Sequence, residues 1–153
     1  MRKRILSLLF IFMLVFATGC GKKSLKTEDF IKKLEDLNYS VYDQTSMIEK
    51  LELSHTNGFV AAYFDADKVK LNYAEMDSDK FAIDNYEDAV DELESKGNLS
   101  SSNVKKSRNY KKFTASDDKY YYVVVRLKRT CLYAYSKLEN KSLVEELLKN
   151  IGY

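Results

Sequence analysis

Along the stretch 27–37, apolar side chains return every three or four positions: Phe30, Ile31, Leu34 and Leu37. Lys32, Lys33, Glu35 and Asp36 fall between them. That period is one face of an α-helix, so a helix is predicted over 28–37, with Thr27 as its cap and Asn38 as its stop. Residues 39–42 read as a short strand. Over 46–53, Ser46 and Glu49 make a capping box while the run is also strand-like, and the pattern leaves both open. Asn57-Gly58 predicts a turn. From Lys68 the period falls to two: Val69, Leu71 and Tyr73 alternate with Lys68, Lys70 and Asn72. Residues 59–64 and 68–76 therefore form a hairpin with one buried face.

A turn at Asp77-Ser78-Asp79 leads into a second helix, to about Ser95. Its apolar stripe is Ala82, Tyr86, Ala89, Val90 and Leu93, and Asp84, Glu87, Asp88, Asp91, Glu92 and Glu94 make the other side acidic. Residues 97–107, with Gly-Asn and a Ser-Ser-Ser-Asn tract, read as a loop. Strands follow over 110–114 and 119–127, joined at Ser116-Asp117-Asp118. Lys128-Arg129 turns the chain into a strand over 130–135. Ser136 with Glu139, or Ser142 with Glu145, caps a last helix to Asn150, and Gly152 fits a left-handed C-cap. The order helix-strands-helix-strands-helix lacks the one-for-one alternation of a doubly wound sheet. The expected fold is α+β, a mainly antiparallel sheet packed with about three helices that cover one side.

The N-terminus changes the picture. Arg2, Lys3 and Arg4 precede an apolar run of 12 residues, Ile5 to Phe16, then Ala17-Thr18-Gly19-Cys20. The run is too short to span about 30 Å of hydrocarbon and suits a signal-peptide core. The stretch resembles the lipobox of bacterial lipoproteins. That resemblance implies cleavage between Gly19 and Cys20 and a palmitate-type diacylglyceryl anchor on the Cys20 sulfur. The domain plan is a signal peptide over 1–19, a tether over 20–26 and a single α+β domain over 27–153. Removing three basic residues from a net charge of +2 leaves −1, so no general basic field points to nucleic acid. Lys22, Lys23 and Lys26 follow the anchor and suit anionic headgroups or a solubilising tether. The C-terminal third has a Tyr/Val strand, Arg126, a Lys128-Arg129 turn, an apolar-Tyr strand and a helix ending in Gly152-Tyr153. This pattern resembles small uncharacterised lipoproteins of Gram-positive bacteria.

Few residues carry chemistry. With two cysteines and one histidine, a disulfide framework and a His-based metal cluster are excluded. Cys131 lies in an apolar strand and reads as inert core. His55 reads as an exposed turn residue. Asp65/Asp67, Asp77/Asp79 and Asp117/Asp118 flank turns, where aspartate bonds its own backbone. The sequence has no phosphate loop, nucleophile elbow or HExxH motif, and no cofactor or metal is expected.

The 12 tyrosines are the unusual feature. Alternation sends Tyr121, Val123, Val125 and Leu127 to one side of their strand and Tyr120, Tyr122 and Arg126 to the other, where Tyr133 and Tyr135 extend the surface. That surface is a partner-binding face or, if a helix covers it, the rim of a core. The basic segment Lys105, Lys106, Arg108, Lys111, Lys112 suits an anionic surface or a solvated loop. The expected function is a lipid-anchored, extracytoplasmic, non-enzymatic binding domain on the cell membrane. Its expected partner is a protein or an anionic wall polymer. The alternatives are an immunity- or inhibitor-type lipoprotein and a small wall hydrolase.

Overall fold

The computed structural model describes residues 22–153; the expected signal segment, Gly19 and Cys20 lie outside the described residues. The elements are α1 (Thr27–Asp36), β1 (Ser40–Asp43), β2 (Thr56–Phe64), β3 (Val69–Met76), α2 (Asp79–Ser95), β4 (Ser101–Ser107), β5 (Tyr110–Ser116), β6 (Tyr120–Leu127), β7 (Thr130–Lys137) and α3 (Lys141–Ile151). The fold is α+β in the order helix-strands-helix-strands-helix, with all neighbouring strands antiparallel. Strand order is β1-β2-β3-β7-β6-β5-β4. Two meanders thus meet at the β3–β7 pair, and α2 links one meander to the far edge of the other.

The alternation in each strand sorts side chains between two cores. On the first face Val60, Ala62, Leu71, Tyr73, Tyr121, Val123, Val125, Leu132 and Ala134 meet Phe30 and Leu34 of α1 and Val144, Leu147, Leu148 and Ile151 of α3. Phe30 stacks on Tyr73 at 3.9 Å between centroids. Fully burying each such side chain contributes about 1.5–3 kcal/mol. On the second face Met76, Phe113, Ala115, Tyr122, Val124 and Cys131 pack against Ala82, Tyr86 and Leu93 of α2. The sheet is therefore covered on both sides, not one. The apolar stripe of α2 has to be buried, and with α1 and α3 filling the first face it packs on the second. The described residues of both cores all lie within 25–153.

Four local expectations change. Asn57-Gly58 is not a turn but an irregularity inside β2, where the register with β3 shifts between Thr56 and Gly58. A Cβ at Gly58 would stand 2.0 Å from Thr27 Oγ1, so glycine is needed for α1 to cross β2. Thr27 does not cap α1. Its backbone N–H and hydroxyl both donate to Glu75 Oε2, each at 2.9 Å, which pins the helix start to β3. The 46–53 segment is neither helix nor strand beyond a 3₁₀ turn at Thr45–Met47. Residues 101–107 are an edge strand, exposed along its whole length. They show no alternation because neither face is buried, and pairing with β5 alone holds them extended.

At the C-terminus neither Ser136 nor Ser142 caps α3; Asn140 holds the cap position without a side-chain bond. Gly152 does take the left-handed conformation, φ 89°. Tyr153 then turns back, its hydroxyl 2.8 Å from Thr130 Oγ1. Thr130 also donates to Leu127 O, closing the Lys128-Arg129 turn. Lys128 sits there at φ 53°, a conformation that costs a non-glycine residue about 1–2 kcal/mol.

Candidate functional site

Strand register assembles the tyrosines. Tyr63, Lys70, Tyr135 and Tyr122 face one another in a row across β2, β3, β7 and β6. The adjacent row is Tyr42, Ala61, Asn72, Tyr133 and Val124, from β1 to β6. Both rows lie on the second face. The rings form a terrace of two groups, Tyr42 with Tyr63 at 5.7 Å, and Tyr133 with Tyr135 at 5.9 Å, Tyr120 with Tyr135 at 6.5 Å and Tyr120 with Tyr122 at 6.2 Å, with Lys70 and Asn72 of β3 between the groups.

Helix α2 lies over β6, β7 and part of β3, and this divides the residues that sequence singled out. Tyr120 is 37% exposed, and Tyr133 and Tyr135 are half-buried. Tyr122 and Arg126 are only 9% and 8% exposed. The five share a face as alternation requires, but Tyr122 and Arg126 are under the helix and offer no surface. Tyr122 instead donates to Asp117 Oδ2 at 2.8 Å, while Asp117 Oδ1 accepts from the backbone N–H of Lys119 and of Tyr120, both at 2.7 Å. Burial alone would raise the Asp117 carboxyl; those three donors outweigh it and hold it below its ordinary value. Burial, and then the bond to Asp117, push the Tyr122 hydroxyl up. Arg126 donates to Lys128 O at 3.4 Å.

Between α2 and the open part of the face lies a recess of about 170 Å³, lined by Leu53, Phe59, Asn72, Asn85, Ala89 and Tyr133 among others. Its two carboxamides and its aromatic walls suit a side chain with an apolar body and a polar end. Both signs of charge meet the terrace: Lys70 stands over the Tyr63 ring at 5.6 Å, and Glu92 of α2, at the other side, pairs with Lys96. Glu92 sits beside Tyr133, whose hydroxyl is pushed up to about 12 first by burial and then by that carboxylate. Of the exposed acids on α2, Glu87 pairs with Lys111 and Glu92 with Lys96. Sequence reasoning missed Tyr42, Tyr63, Asn72 and Asn85. The alternate positions of β2 and β3, between Val60, Ala62 and Leu71, were the signal that marks Tyr63 and Asn72.

No family model, curated protein or solved structure matches the chain.

The remaining candidates have structural partners. Cys131 is 5% exposed and its Sγ donates to Ala82 O at 3.0 Å. Burial pushes its thiol up to about 12, against the pull of nearby Arg126. His55 shares a 3.1 Å hydrogen bond with Asp77 and stacks on Phe81 at 3.5 Å, both polar groups half exposed. Among the described residues no three His, Cys, Asp or Glu side chains are grouped to hold a metal, and no helix is long and apolar enough to cross a membrane.

Proposed function

We propose that the protein is a lipid-anchored, non-enzymatic binding domain, held through Cys20 on the outer face of the cytoplasmic membrane, whose tyrosine terrace captures a protein partner. The observation that carries the proposal is the terrace itself: Tyr42 and Tyr63 on β1 and β2, and Tyr120, Tyr133 and Tyr135 on β6 and β7, on one face of the sheet beside a recess that α2 leaves open. Tyrosine offers large contact area with a polar tip at little entropic cost and recurs at interface hot spots.

The anchor and the binding face are tested separately. Metabolic labelling with a fatty acid should mark the wild type and not Cys20→Ser; persistent labelling of that variant removes the anchor. Affinity capture from detergent-solubilised membranes should retain one protein in stoichiometric amount, as for an immunity- or inhibitor-type lipoprotein. Tyr42→Ala with Tyr120→Ala should weaken that capture by about 2 kcal/mol or more at unchanged melting temperature, since both rings are exposed. Capture indifferent to both substitutions removes the terrace.

A further inference from the structure

The basic segment that the terrace leaves without a role divides between the two faces of the sheet. Lys105 and Lys112 are cross-strand partners on the first face. There β4 and β5 extend beyond α3, and a trough runs between strands and helix in two lobes of about 300 and 350 Å³ that share Lys112 and Glu145. Five lysines line it, Lys22, Lys105, Lys112, Lys141 and Lys149, against one acidic side chain, Glu145, with Tyr153 at the end of the first lobe.

That carboxylate is already engaged. It accepts from Lys112 Nζ at 2.8 Å and from the Tyr121 hydroxyl. Burial alone would raise it; Lys112, Tyr121 and Lys141 together hold it below its ordinary value. Among the described residues Lys22, Lys105, Lys141 and Lys149 have no ion-pair partner. Aromatic rings fix two of them at the trough walls, Lys22 at 4.1 Å over Tyr110 and Lys141 at 4.9 Å over Tyr121. Lys22 is shifted down, first by burial and then by repulsion from Lys112 and Lys105. Gathering ammonium groups this way is unfavourable unless an anion joins them.

Lys22 also fixes the trough in the cell. Two residues of chain reach at most about 7 Å, so the backbone of Lys22 is within that distance of Cys20, the residue expected to carry the lipid. Because residues 20–153 have a net charge of −1, attraction to an anionic bilayer has to come from a local patch.

We propose that this trough binds the phosphate of an anionic phospholipid headgroup among Lys22, Lys105, Lys112 and Lys141. The domain then docks on the bilayer by its first face. The placement at the membrane rests on the Cys20 anchor proposed above, but the test does not use it. Docked this way, the tyrosine terrace on the opposite face points away from the lipid.

The test is flotation of unlipidated residues 22–153 with phosphatidylcholine vesicles, with and without phosphatidylglycerol, at low salt. Binding should require phosphatidylglycerol and fade at high salt. Lys105→Ser or Lys141→Ser should each weaken it about fivefold, and the two together roughly thirtyfold. Lys50→Ser and Lys80→Ser, on exposed lysines outside the trough, should change it less than twofold. Melting temperatures of all variants should match the wild type. Failure to float with phosphatidylglycerol vesicles, or equal losses for trough and control lysines, overturns the proposal. Binding of soluble polyglycerol phosphate without vesicle binding also overturns it, reassigning the trough to wall polymer. Loss of fatty-acid labelling at Cys20 with vesicle binding intact would remove only the anchor.

Discussion

Replacing Tyr122 by phenylalanine removes one oxygen and leaves the ring in the second core. The lost bond runs to Asp117, a buried carboxylate that keeps two backbone donors. Hydrogen bonds to charged groups contribute about 1.5–3 kcal/mol net. At roughly 4 °C per kcal/mol for a domain of this size, the melting temperature should fall by about 6–12 °C at pH 7. The sign with pH follows from the carboxylate. Its folded value is below the ordinary value near 3.9, so its contribution is present above about pH 4 and is lost as pH falls through the folded value. The gap between wild type and Tyr122→Phe should therefore be full at pH 7 and narrow towards pH 2. Circular dichroism melts of both proteins across that range measure it. A variant that melts with the wild type at pH 7, or a gap that persists undiminished in acid, refutes the assignment of Tyr122 to the Asp117 turn. Partner capture at a temperature well below melting should be unchanged, because the hydroxyl points into the protein.

Two further outcomes follow from buried groups under α2. Among the described residues the buried Tyr86 hydroxyl has no hydrogen-bond partner, so Tyr86→Phe should stabilise the protein by about 1 kcal/mol, seen as a melting temperature several degrees higher; a lower one would mean that the hydroxyl is bonded. With its thiol pushed up to about 12, Cys131 should carry on the order of a thousandfold less thiolate at neutral pH than an unperturbed cysteine. Iodoacetamide should then label it only after denaturation, and rapid labelling of the native protein would contradict its burial.

The helices and most strands were readable because period and burial coincide in them. In α1, Phe30 and Leu34 are fully buried where the pattern put them, and in β6 the alternation of Tyr121 with Tyr122 assigns each ring to its correct face. Reading failed where tertiary contact overrides local chemistry. Asn57-Gly58 has turn composition, yet its glycine answers to Thr27, about thirty residues earlier in the chain. The 101–107 segment has loop composition, yet β5 recruits it as an edge strand. For the site, sequence named the tyrosines of β6 and β7 but not which were covered, since the path of α2 over the sheet is a property of neither strand. Tyr42 and Tyr63 escaped because only register places them on the same face as Tyr135, across β3 from it.

The extent of the terrace has a geometric cause. Seven strands at about 4.8 Å spacing make a face nearly 30 Å wide, while one helix with its side chains is about 10–12 Å across. Among the described residues two helices share the first face, while α2 is the one helix on the second and leaves its β1–β2 side without one. A sheet surface that only has to meet water needs no aromatic rings. This chain shows as much in β4, whose Ser-Ser-Asn-Val-Lys-Lys-Ser run is exposed at every position. On the uncovered β1–β2 side of the second face stand Phe59, Tyr63 and Tyr42, the last 55% exposed. The contrast within one sheet separates the two uses: β4 has the composition of a solvated edge, and the terrace has that of a surface awaiting contact.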